Sequence, residues 1–112
     1  MPVLGCMSYG TDTWAKWVLN EDKSLPLLKA AWDAGIQTWD TADIYSNVLP
    51  DIISNADIQG LSEIIIGKAI EKYKIPREKL VILTKCFGTV YEDSYPAVDS
   101  ENTKEYVNKH GI

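Results

Sequence analysis

A carboxylate, a phenol and an amine stand at intervals in this chain that would let them act together on a polar bond: Asp40, Tyr45 and Lys85. Asp40 closes the apolar run IQTWD, Tyr45 follows five residues later, and Lys85 lies near the end of KLVILTKCF. A lysine on the interior side of a buried strand needs a carboxylate, because an unpaired charge there costs several kcal/mol. Asp40 is the natural partner. A cation beside a phenol favours the phenolate and lowers the tyrosine pKa from its reference of about 10, which would make Tyr45 a usable general acid near neutral pH. The spacing alone favours a plainer arrangement, with Asp40 and Lys85 as a structural ion pair and Tyr45 as a capping aromatic.

The flanking segments say how such a trio would be held. PVLGCMS reads as a short strand, and GTDTWAKWVLN reads as a loop carrying two large aromatics, Trp14 and Trp17. In the next segment Leu25, Leu28, Ala31 and Trp32 recur at helical spacing, Pro26 falls near the first turn and Gly35 provides the stop. IQTWDTA is a strand of β-branched and aromatic residues. SEIIIGKAIEKY is a helix with Ser62 as N-cap and Ile66, Ala69, Ile70 and Tyr73 on one face. KLVILTKCF reads as a strand buried on both sides. The order β-α-β-α-β predicts a parallel sheet with right-handed crossovers, doubly wound or the opening of a barrel. Side-chain alternation then puts Asp40, Thr38 and Ile36 on the interior face and Trp39 towards the helices, while Lys85 shares a face with Leu83 and Val81. Asp40 and Lys85 fall at the carboxyl ends of strands, where parallel α/β folds bind ligands.

Composition narrows the function. A chain of 112 residues is long enough for one modest core, and its formal charge of −5 argues against a nucleic-acid or anionic-membrane partner. No apolar run approaches the length of a membrane span, and MPVLGCMSYG lacks the charged and apolar regions of a signal peptide, so a cytoplasmic location is expected. Cys6 and Cys86 have no metal-binding or redox spacing and read as reduced thiols; with a single histidine, no zinc site is expected. There is no GxGxxG fingerprint, P-loop or GxSxG elbow.

GCMSYG, AWDAGIQTWDTADIYSNG (with Gly60 read directly after Asn47), SEIIIGKAI and VILTKCFG together resemble the aldo-keto reductases, most closely the fungal branch that includes aryl-alcohol dehydrogenases. The resemblance implies a (β/α)8 barrel of which this chain would be an N-terminal fragment, about the first three strands and two helices. It implies NADPH-dependent reduction of small aldehydes and ketones by an Asp, a Tyr, a Lys and a His. By motif, Asp40, Tyr45 and Lys85 take the first three places, and Gly5, Cys6 and Met7, with Asp40, fall where the nicotinamide end of the cofactor approaches. The family's histidine stands in a Q-x-H-R-like setting that His110, in NKHGI, does not match. The segments that hold most of the NADP in the family have no counterpart here, so an inactive partial barrel is expected.

One run breaks the motif. Removing Val48–Gln59 turns DIYSNVLPDIISNADIQGLSE into DIYSNGLSE, which reads smoothly as the family pattern. The twelve residues preserve frame, begin with a residue whose codons start GT and end with one whose codons include CAG, which suits a short retained intron. The likeness of DIYSN at 43–47 to DIISN at 51–55 suits a local duplication, and a true βα-loop insertion is the third origin. Whatever its origin, the run is expected to loosen the link between Tyr45 and the second helix. Residues 88–112 are polar and turn-rich and read as a loop-like tail. A three-stranded parallel sheet also has two unpaired edges and an uncovered face, so self-association or docking on another chain is expected. A weaker alternative is an independent small α/β binding domain.

Overall fold

The computed structural model describes residues 1–46 and 60–86. The run 48–59, the tail 88–112 and His110 lie outside the described residues. Five principal elements follow in order: β1 (Val3–Gly5), α1 (Glu21–Asp33), β2 (Thr38–Asp40), α2 (Leu61–Lys72) and β3 (Val81–Leu83), with a single 3₁₀ turn at Arg77–Lys79 before the last strand. The strands form one parallel sheet in the order β1-β2-β3. Val3, Thr38 and Val81 lie side by side, as do Leu4, Trp39 and Ile82, and Gly5, Asp40 and Leu83. This is the α/β arrangement expected from the sequence, and it corresponds to the opening of a (β/α)8 barrel.

The core lies between the sheet and the two helices. Trp39 is fully buried at its centre, in a cluster with Cys6, Leu25, Leu28, Ile65, Ile66, Ala69, Ile75 and Leu80. Its indole N–H donates to the Ile36 carbonyl at 2.9 Å, so the polar atom of a large buried ring is satisfied. Ile36 precedes β2 and packs against this same cluster, so the interior parity expected for it does not extend back to that position.

α1 begins earlier than the proline suggested. Asn20 is its N-cap, Glu21 and Asp22 favour the positive end of the helix dipole, and Pro26 is the sixth helical residue. Ser24 lies inside the helix, where its hydroxyl approaches both the Leu19 and Asn20 carbonyls at 2.9 Å. α2 is likewise capped by Gly60, in the left-handed conformation at φ 62°, and not by Ser62. Ser62 is instead fully buried and spent on tertiary bonds. Its hydroxyl donates to the Cys6 carbonyl at 2.8 Å, so the 3.0 Å contact with Thr41 Oγ1 must be donated by the threonine. One chain of hydroxyls thus ties α2 to the ends of β1 and β2.

The third strand departs from expectation. Val81 and Leu83 are 51% and 45% exposed, and only Ile82 points towards the helices. β3 is packed on one side, because nothing among the described residues covers the other.

Candidate active site

All three chemically suggestive residues meet at the carboxyl end of the sheet. Asp40 is the last residue of β2, and its backbone carbonyl receives the Cys6 N–H at 2.8 Å, fixing it against the end of β1. Past the end of β3 the two segments stay together: Thr41 N donates to the carbonyl of Leu83, the last strand residue, at 2.8 Å, and Asp43 N to the Lys85 carbonyl at 3.4 Å, which brings Lys85 alongside. The Lys85 ammonium donates to both carboxylate oxygens of Asp40, at 3.0 and 2.9 Å, and to the Thr41 carbonyl at 2.9 Å. Its nitrogen also stands 5.1 Å from the centre of the Tyr45 ring, within the reach of a cation–π contact.

This is an open site. Side-chain exposure is 44% for Lys85 and 35% for Asp40. The Asp40 hydrogen bond is the main cause of a raised Lys85 pKa; desolvation opposes it, and the neighbouring Tyr45 phenol adds to it. The lysine is therefore held as a cation.

Tyr45 owes its position to a tight turn. Its N–H reaches the Ala42 carbonyl at 3.3 Å, and its own carbonyl accepts from Ser62 N in the first turn of α2, also at 3.3 Å. Across the undescribed run, then, the flanking residues are tied directly. Gly60 comes close to the Asp43 carbonyl, where a Cβ would lie 3.0 Å from that oxygen, and it holds a positive φ suited to glycine. Ser46 follows Tyr45 and is fully buried with φ 56°, a conformation that costs a non-glycine residue about 1–2 kcal/mol. Trp14, from the β1–α1 loop, stands 6.4 Å from the Tyr45 ring, centre to centre, and meets Trp17 edge-on at 5.8 Å.

The three positions at the end of β1 have different surroundings. Gly5 shares a register layer with Asp40 and Leu83, and open space lies where its Cβ would be. Met7 is 43% exposed. Between them, Cys6 turns its thiol into the core, where burial first and the Asp40 charge second push its pKa up to about 12. Burial similarly raises Tyr9, with a smaller contribution from the adjacent Cys6. No group of three metal-ligating side chains occurs among the described residues.

Two features of the site were not legible from the motif. Ser46 and the hydroxyl pair Thr41–Ser62 carry no spacing signal of their own. Trp14 had only a weak one, its size in a loop.

The aldo/keto reductase family matches residues 3–111. The chain belongs to that family. It is 46% identical over 114 residues to a versiconal hemiacetal acetate reductase of Aspergillus parasiticus, covering 98% of this chain and 30% of that protein. An aldo-keto reductase of Metarhizium robertsii, dtxS3, is 42% identical over 99% of this chain and 29% of its own length. A putative aryl-alcohol dehydrogenase of Schizosaccharomyces pombe is 47% identical over 81% of this chain and 23% of its length. The aldo/keto reductase chain thus spans less than a third of these curated relatives. No solved structure matches it at a significant level.

Proposed function

We propose that Asp40, Tyr45 and Lys85 form the proton-donating half of a carbonyl-reducing site of the NADPH-dependent type, housed in a partial barrel that does not turn over by itself. The observation that carries this reading is the Lys85 ammonium, bonded to Asp40 at 2.9 Å and lying 5.1 Å from the centre of the Tyr45 ring. When bound, NADPH supplies hydride to the carbonyl carbon. Tyr45 donates its phenolic proton to the carbonyl oxygen as charge develops there. Lys85 stabilises the phenolate left behind, and Asp40 keeps the ammonium charged and aimed.

The residues present fit one end of that cofactor. The open space over Gly5, beside Asp40, admits a flat ring at the mouth of the sheet. Among the described residues, Lys85 is the cation that meets Asp40 and Tyr45, and it is already paired, so the phosphates would need other partners. A site whose ion pair is this exposed also leaves water in contact with the reacting groups, which weakens each charge interaction in it. Both points support loss of turnover.

Purified 1–112 should show no saturable loss of NADPH absorbance with 4-nitrobenzaldehyde. Saturable turnover that disappears in Tyr45→Phe would overturn the inactivity and keep the chemistry. Turnover unchanged in Tyr45→Phe and Asp40→Asn would overturn the assignment of the site.

A second reading is favoured by the face that carries Val3, Val81 and Leu83, exposed by 52%, 51% and 45%. In it, the chain is a non-catalytic interaction module that covers this face with another aldo/keto reductase chain, its own copies included. Sedimentation of the pure chain, and co-purification with a full-length relative, test this. A monomer at all concentrations that captures no relative would exclude it.

A further inference from the structure

The turn that carries Tyr45 is locked to the loop that carries Trp14 by a contact between two small residues. Gly10 is buried, and its N–H donates to the Leu19 carbonyl at 2.9 Å, anchoring the loop at the foot of α1. A Cβ built on Gly10 would overlap both Oγ and Cβ of Ser46. Next along the chain, Thr11 N donates to Ser46 Oγ at 3.1 Å. Ser46 holds φ 56° and is fully buried, so its hydroxyl has no solvent alternative. A polar side chain kept in a strained backbone conformation, with one long-range bond, marks a position determined by its surroundings.

We infer that Ser46 is a positioning residue for Tyr45, keyed into the space left by the missing side chain of Gly10, so that the β1–α1 loop sets where the phenol stands relative to Lys85 and Trp14. This deepens the reductase reading, since it rests on Tyr45 being the proton donor. A residue that served only the fold would show itself differently. Ser46→Gly removes the hydroxyl and the Cβ while relieving the positive φ, so the backbone gains what the lost bond gives up. Fold stability and Tyr45 geometry are thereby separated.

The experiment uses the whole chain labelled with 3-fluorotyrosine, the Tyr45 signal being assigned by its loss in Tyr45→Phe. In Ser46→Gly the thermal midpoint should stay within about 4 °C of the parent, while the Tyr45 fluorine resonance shifts or broadens. In Gly10→Ala the same resonance should be displaced, or the fold lost. In Gly10→Ala with Ser46→Gly the overlap disappears, and the spectrum should return to that of Ser46→Gly alone. An unmoved Tyr45 resonance in Ser46→Gly would overturn the inference, and so would a Gly10→Ala defect that Ser46→Gly does not relieve. The fluorine signal reports ring position whether or not carbonyls are reduced, so the turnover assay above judges the reductase reading separately.

Discussion

The two faces of the sheet obey different rules. On one, Leu4, Trp39 and Ile82 form a register layer pressed against α1 and α2, with Trp39 fully buried. On the other, Val3 and Val81 flank the buried Thr38, and Leu83 stands beside Asp40 with its side chain nearly half exposed. The same three strands supply both. The helix-facing side carries the packing energy, and the open side carries the charge pair. A cation and a carboxylate can keep their water on the open side, so they are available for chemistry without the several-kcal/mol desolvation that burial would impose. The proposed chemistry thus sits on the less tightly packed face.

That contrast can be broken at Trp39. Trp39→Ala empties the centre of the packed face and should cost about 3–5 kcal/mol in urea unfolding. A loss below about 1 kcal/mol would mean that the helices do not depend on this face. Ser62→Ala tests the seam between the faces. It strands Thr41 Oγ1 and removes a donor from the Cys6 carbonyl, and should cost about 1–3 kcal/mol by the same measurement.

A gentler probe uses the two thiols, both free: Cys6 buried in the packed layer, Cys86 exposed. A thiol reagent at neutral pH should modify Cys86 promptly and Cys6 only after unfolding. The pH dependence has a definite sign. Cys6 is raised from 9.0 to about 12 in the folded chain, so the unfolded state releases its proton first as pH rises. Stability linked to this thiol is intact below pH 9.0 and is lost progressively towards about 12. Alkaline unfolding of Cys6→Ala should lack that part of the slope. The smallest effect belongs to the open face. Val81→Thr should alter stability by no more than about 0.5 kcal/mol; a larger loss would show that this face is covered in solution.

The helical and strand segments were readable because their apolar residues recur at the spacing each backbone imposes. The parity of β2 correctly assigned Thr38 and Asp40 to one side and Trp39 to the other. Helix starts were less readable. Pro26 and Ser62 each suit a helix end, but Pro26 stands inside α1 and Ser62 is drawn into tertiary bonds. At the site, the carboxylate, the phenol and the amine were singled out by chemistry and spacing, but it was the family motif that favoured a shared role over a structural ion pair. Ser46 did not, because a small residue in a turn looks the same in sequence whether it faces solvent or fills the space above a glycine.

Residue order alone fixed the alternation of strand and helix, the family, and the choice of Asp40, Tyr45 and Lys85 as candidates, since each depends on local periodicity or on a contiguous motif. Only the folded chain decided that Lys85 reaches Asp40 from 45 positions away, that Ser46 keys into Gly10, and that one side of β3 is uncovered among the described residues. Those are contacts between distant segments, and their energies exist only once the backbone has brought the partners within bonding range.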